Sequence, residues 1–224
     1  MKSIIGFAGK MRSGKGVASH CLRDNYGYVY VEIAEKLKEI CTKLLNVGSI
    51  EELDYLKNND KPIDFEFSAE ICHRLSELTE IPKDFITEKC DHKKVTSVRE
   101  LLQFLGTDVL REYDPQWHIK HTIEKITKLI DDGKRVVVAD VRFPNEKLAI
   151  ESIGGEVYYI KMDMYNILSV HPSEQSLSIE DFDSDHIIYN DTPNNINIFM
   201  YHVMDTLDKN YRYMFQKMTN GHHC

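Results

Sequence analysis

The chain has 224 residues, 42% of them hydrophobic and 29% charged, a globular mix that excludes disorder throughout. Its 11 Gly and 6 Pro are too few for a collagenous or low-complexity protein. The formal net charge of −8 argues against nucleic acid as a partner, so any phosphate site must be a focused positive spot on an acidic body.

Residues 4–8 form a short apolar run bounded by glycine, which predicts a buried strand. A loop rich in Gly and Lys follows, then a helix to about Tyr26. Residues 28–33 predict a second strand, and 34–45 a helix with Leu37, Ile40, Cys41, Leu44 and Leu45 on one face. The stretch 46–95 is polar and weakly periodic, with a helix expected over 66–78. Residues 97–112 predict a helix: Ser97 is the cap, Glu100 stands three residues on, and Val98, Leu101, Leu102, Leu105 and Val109 form the apolar set. A further helix is expected over 118–131, closed by Gly133.

A third strand is predicted at 135–139, a helix at 145–153 ended by Gly154 and Gly155, and a fourth strand at 157–160. A fifth strand at 186–189 and a helix over 194–213 complete the pattern. Strands alternating with helices predict a parallel sheet covered on both faces.

The five cysteines (Cys21, Cys41, Cys72, Cys90 and Cys224) are odd in number and lack C-x-x-C spacing, which points to free thiols in a reducing compartment. No apolar run approaches the roughly 18 residues of a membrane helix, so no membrane partner is expected. The first residues lack a cleavable signal pattern, and the expected location is the cytoplasm.

The sharpest motif runs from Gly9 through Lys10, Met11, Arg12, Ser13 and Gly14 to Lys15. This is G-x-x-x-x-G-K between a strand and a helix, the context in which the motif cradles phosphates. Glycines let successive N–H groups point inward, the helix adds its positive end, and Lys15 supplies a point charge. The next position usually carries a Ser or Thr hydroxyl for Mg²⁺; here it is Gly16, followed by Val17. Asp140 follows the third strand at its C-terminal end, the rim where open α/β sheets bind ligands, and it is the candidate to hold Mg²⁺ through water. Arg142 can fork onto phosphate oxygens, or pair with Glu146. On the 97–112 helix, Arg99, Gln103, Asp108 and Arg111 are not required by the apolar face. Arg99 and Arg111 suit a substrate phosphate and Gln103 a base edge, although such residues are most often plain solvated ones. Trp117, the single Trp, reads first as a core or lobe anchor. His171-Pro172-Ser173-Glu174 reads as a turn in a lid, and Asn190-Asp191-Thr192 as a loop able to border a base.

Together these segments resemble the phage-type deoxynucleoside monophosphate kinase family of P-loop kinases. The family's K-R-S-G-K-D-T is similar to Met11 through Val17, and its F-A-x-x-L-K to Ile33 through Lys38. Its R-x-L-L-Q-x-x-G-T-D matches Arg99 through Asp108, followed by Arg111 and Trp117. Its D-V-R-F-P-N-E is present unchanged from Asp140 to Glu146, and its H-P-S-E from His171 to Glu174. The resemblance implies an α/β, three-layer P-loop kinase fold with a five-stranded parallel sheet. It implies one kinase domain over 1–224, with a helical acceptor-binding lobe inserted at 46–117 and a lid region at 162–185. It further implies ATP as donor with Mg²⁺, a (deoxy)nucleoside monophosphate as acceptor, and a homodimer as the candidate assembly.

Carried over position by position, the resemblance assigns ATP to Gly9 and Met11 through Val17, and Asn190 joins them as a loop residue able to border the base. It assigns the acceptor to Lys38, Arg99, Gln103, Asp108, Arg111, Trp117, Arg142 and Glu146. Catalysis falls to Lys15, Arg12, Arg142 and Asp140. Two features depart from the family: Gly16 and Val17 replace its Asp and Thr, and residues 162–175 contain no Arg, with Lys161 just before them. Animal phosphomevalonate kinases are similar as well. A kinase for a non-nucleotide phosphate and a catalytically weakened nucleotide-binding protein are therefore the alternatives.

Overall fold

A computed structural model describes residues 2–162, 177–191 and 195–220, with the side chains of the last helix described as far as Asp208. In chain order come β1 (Ile4–Ala8), α1 (Lys15–Tyr26), β2 (Tyr28–Val31), α2 (Glu35–Leu45) and α3 (Ile50–Asn58). Then follow β3 (Pro62–Glu66), α4 (Ala69–Thr79), α5 (Lys83–Cys90), β4 (Lys94–Ser97), α6 (Val98–Gln103) and a π-helical continuation over Phe104–Arg111. The remainder is α7 (Trp117–Asp131), β5 (Arg135–Val141), α8 (Pro144–Ser152), β6 (Glu156–Lys161), β7 (Ile187–Tyr189) and α9 (Ile196–Asn220). Two compact units result: 1–33 with 122–224, and Ala34–His121. The second contains the 46–117 segment.

The first unit is an α/β fold around a five-stranded parallel sheet of order β2-β5-β1-β6-β7, as the alternating pattern predicted. Its central strands are runs of Val, Ile and aromatic residues because parallel strands are buried on both faces. Ile5, Phe7, Val137 and Ile160 meet Ala18 and Leu22 of α1 and Phe199 and Val203 of α9 on one face. Gly6 lies against Val141, Val157 and Ile150 of α8. Burying a Val or Ile side chain contributes about 1.5–3 kcal/mol each, so these strands and the helix residues packed on them stabilise the unit together. Because all five strands run the same way, their C-terminal ends share one rim.

Several boundaries differ from the sequence reading. The second strand stops at Val31, because the Ile33 N–H leaves the ladder and donates to Asp140 Oδ1 at 2.7 Å. His186 belongs to a 3₁₀ turn, so the last strand begins at Ile187. Among the 162–185 residues expected as a lid, 163–176, including His171 and Glu174, lie outside the described residues, as does Thr192.

The second unit is helical with a two-stranded antiparallel sheet, β3 against β4. That sheet was not anticipated: its strands are short and polar, and β3 buries only Phe65. Glu66 consequently ends a strand, and the helix expected from 66 starts at Ala69, capped by Ser68. Its core joins α2, α4, α5 and α6 through Leu37, Ile40, Phe67, Leu75, Ile86 and Leu101.

The helix from Ser97 begins as expected. Ser97 Oγ accepts the Glu100 N–H at 3.1 Å, and the Glu100 carboxylate accepts the Thr96 N–H at 2.8 Å. It does not stay α-helical, however. From Phe104 to Arg111 it opens into π turns, and buried Leu101, Leu105 and Leu110 step by four and then five. Gly106 is buried there, and a Cβ on it would lie 2.9 Å from Leu37 Cδ2. Its carbonyl accepts a hydrogen bond from His118 Nε2 at 3.0 Å, which places the imidazole proton on that nitrogen. Burial pulls the His118 pKa down to about 4, and nearby Arg111 and His121 push the same way against the Gly106 bond.

A histidine kept neutral in the fold and titrating near 6.5 when unfolded adds stability above that pH and loses it as pH falls toward 4. The full difference is about 3 kcal/mol. Urea midpoints should therefore drop between pH 7 and pH 4.5, and His118→Gln should flatten the slope. Equal slopes in the two proteins contradict this assignment.

Candidate functional site

The segment between β1 and α1 curls at the sheet's C-terminal rim. Gly9 has φ +137°, and a Cβ on it would lie 2.5 Å from the Ile160 carbonyl oxygen. Gly14 has φ +111°, and a Cβ there would lie 2.9 Å from Asn190 Nδ2 and from the Phe199 ring. Only glycine meets both demands, a left-handed backbone and no side chain. Arg12 also takes a positive φ, +64°, and projects an exposed side chain.

Lys15, the first residue of α1, folds back into this curl. Its Nζ donates to the Gly9 carbonyl at 2.6 Å and to the Lys10 carbonyl at 2.8 Å. The ammonium is thus fixed inside the loop, beside the N–H end of the helix, where an anion is favoured twice over. Asn190, at the end of β7 and only 4% exposed, donates from Nδ2 to the Ser13 carbonyl at 2.9 Å. Its own N–H donates to Lys161 at 2.8 Å. Ser13 is 2% exposed, and neither its Oγ nor Asn190 Oδ1 has a hydrogen-bond partner among the described residues. Met11, Gly16 and Val17 are exposed, and a Cβ on Gly16 would meet nothing within 4 Å.

The neighbouring strand end carries the acidic turn. Ala8 of β1 pairs with Val141 of β5, which sets Asp140 and Arg142 beside the loop's first residues. Asp140 Oδ1 accepts the Ile33 N–H, so the carboxylate is oriented from the end of β2. Glu146, 1% exposed, accepts the N–H groups of Arg142 at 2.7 Å and Phe143 at 3.0 Å. It therefore shapes the turn from inside and starts α8. Arg142 is half-buried.

The remaining candidates belong to the second unit. Lys38 is buried and donates to Asp54 Oδ2 at 2.8 Å, and Lys57 also donates to this carboxylate. Burial alone would raise the Asp54 pKa, yet the hydrogen bonds from the two lysines hold it below its ordinary value. Arg99 and Asp108 are exposed, while Gln103 and Arg111 are half-buried. Arg111 Nη1 donates to the Pro115 carbonyl at 3.4 Å. Trp117 is a core anchor rather than a stacking surface: it is buried, and its indole N–H donates to the Thr79 carbonyl at 3.4 Å.

Comparison with known proteins adds to this geometry. A family model described as deoxynucleotide monophosphate kinase matches residues 55–200. A protein of Acanthamoeba polyphaga mimivirus, named as a putative deoxynucleotide monophosphate kinase, is 31% identical over 193 residues, covering 80% of this chain and 85% of its own. The chain belongs to the deoxynucleotide monophosphate kinase family. The family match spans Arg99–Asp108 and Asp140–Glu146, the two segments whose residue strings no packing rule demands. Membership makes the protein an enzyme of the nucleotide monophosphate kinase class. Among the described residues no helix is long and apolar enough to cross a membrane.

Sequence reasoning missed the residues that act at long range. Phe199 packs on Gly14 from α9, Ile33 orients Asp140, Asp54 holds Lys38, and His118 holds Gly106. None of these pairs lies in a shared motif, so no local signal announced them.

Proposed function

We propose that the protein transfers the terminal phosphoryl group of ATP to a deoxynucleoside 5′-monophosphate, giving ADP and the diphosphate. The observation that carries this reading is the Lys15 ammonium turned into the loop and held by the Gly9 and Lys10 carbonyls. A triphosphate entering the curl meets that charge, the loop N–H groups and the start of α1. The glycines at 9 and 14 keep the space that a Cβ would fill.

The acceptor needs no general base, because a phosphate monoester with a second pKa near ~6 is already a nucleophilic anion at neutral pH. Its oxygen forms the new bond to phosphorus as the bond to the ADP oxygen breaks, and ADP leaves with that electron pair. The protein's part is positioning and charge neutralisation. Arg12 and Arg142 offset charge on the transferred group. Arg99, Gln103 and Arg111 hold the monophosphate, and Asp108 adds a carboxylate on the same stretch. Lys38 supports that seat from α2, fixed by Asp54.

Among the described residues no group of three or more His, Cys, Asp or Glu is gathered for a metal. Asp140 with water and phosphate oxygens is a donor set that fits Mg²⁺, which dehydrates reluctantly. Bound there, Mg²⁺ would neutralise phosphate charge.

A panel of deoxynucleoside, ribonucleoside and non-nucleotide monophosphates, read by ADP release, tests the reading. Turnover is expected with one or more deoxynucleoside monophosphates. Turnover with phosphomevalonate alone favours the non-nucleotide kinase. Tight ATP binding without transfer to any acceptor favours a nucleotide-binding protein.

Lys15→Ala should lower kcat by roughly 10²-fold or more, as loss of a charge-stabilising group does. Near-normal turnover in that variant removes the loop from the mechanism. Gly16 has room for a hydroxyl-bearing side chain, and Gly16→Ser should reach half-maximal rate at a lower Mg²⁺ concentration than the wild type. Superimposable Mg²⁺ titrations refute that point.

A further inference from the structure

The stretch proposed to seat the acceptor is not an ordinary helix. Arg99 to Gln103 is a step of four within α6, and Gln103 to Asp108 is a step of five across the π turns. Widening from four to five residues per hydrogen-bonded turn swings later side chains back by about one residue, roughly 100°, relative to a continuing α-helix. The π form therefore decides where Asp108 and Arg111 stand with respect to Arg99 and Gln103. Short π segments are poor in intrinsic stability and need a reason to persist.

The reason is in the second unit itself. Gly106 lies in the middle of the π turns with no side chain, 2.9 Å from Leu37 Cδ2 at its would-be Cβ, and 3.8 Å from His118 Nε2. The imidazole, 4% exposed, reaches the Gly106 carbonyl at 3.0 Å from the first turn of α7. Trp117 packs edge-on against this ring with centroids 5.1 Å apart, which limits its rotation. A carbonyl that bonds a side chain in this way is drawn out of the α ladder, a recognised cause of local helix distortion.

We infer that His118 is a positioning residue for the acceptor seat: its Nε2–H, bonded to the Gly106 carbonyl, holds Phe104–Arg111 in π form and so sets Gln103, Asp108 and Arg111 in register for a deoxynucleoside monophosphate. This rests on the kinase reading above and deepens it. The imidazole is 4% exposed, so its proposed action is through the backbone and not by contact with substrate. Its effect reaches the acceptor through backbone geometry, so it belongs to acceptor affinity and not to the donor loop.

The test compares wild type with His118→Phe, which keeps the ring volume and removes the donor, and with His118→Gln, which restores an N–H donor. Steady-state kinetics would be run on the full chain with the acceptor identified in the panel, after thermal unfolding confirms that each variant is folded. His118→Phe should raise KM for the monophosphate about tenfold or more while leaving KM for ATP within about twofold, and His118→Gln should recover most of the loss. A merely structural histidine would shift the unfolding temperature without separating the two KM values. Should His118→Phe fail to fold, Gly106→Ala perturbs the same contact through the flexible end of Leu37 and must show the same split. Folded variants whose acceptor KM is unchanged, in an enzyme that does turn over, overturn the role of His118. A wild type that phosphorylates no deoxynucleoside monophosphate overturns the kinase reading, and this inference with it.

Discussion

An ammonium group held by two carbonyls of its own loop is the interaction on which the rest of the site depends. Lys15 reaches Gly9 and Lys10 only because the backbone turns sharply at both glycines. Those turns are secured from outside the loop: Ile160 and Phe199 leave no room for side chains at 9 and 14, and Asn190 pins the Ser13 carbonyl. The sheet brings these supports together, since β1, β6 and β7 are adjacent parallel strands ending on one rim. On a chain of net charge −8, such a spot is a local reversal of sign built mostly from backbone.

Beside it, the Asp140–Glu146 turn divides its work between residues that sequence reading had grouped together. Glu146 is spent inside, bonded to the N–H groups of Arg142 and Phe143. The Asp140 carboxylate, by contrast, is steadied by the Ile33 N–H, and Arg142 stands half-buried on the same turn. The same division recurs in the second unit. Trp117 and His118 are interior supports, whereas Arg99, Gln103, Asp108 and Arg111 occupy the less buried side of one helical stretch.

Much of the fold was legible because it rests on local signals. Val136–Val138 and Ile4–Phe7 announce buried strands by composition, and Ser97 with Glu100 announces a cap by spacing. The turn between β1 and α1 was legible for the same reason, as the seven consecutive residues from Gly9 to Lys15 carry its motif. The β3–β4 pair escaped notice because it buries Phe65 and Val95 and little else, so its alternation is faint. The π turns escaped because Leu101, Leu105 and Val109 satisfy an α period equally well. What breaks the tie is a hydrogen bond from His118, twelve residues beyond Gly106, and the Leu37 side chain. Lys38 was chosen through the family pattern, but Asp54 as its partner follows only from packing.

The central claim is that a glycine-shaped curl around Lys15 binds the donor's phosphates. Calorimetric titration of MgATP into wild type and into folded Gly14→Ala, in which a Cβ meets Asn190 and Phe199 at 2.9 Å, addresses it without reference to any acceptor. The account predicts saturable one-site binding to the wild type and at least about tenfold weaker binding to the variant, a difference of about 1.4 kcal/mol or more. Equal affinity in the two proteins, or no binding to the wild type, would contradict it.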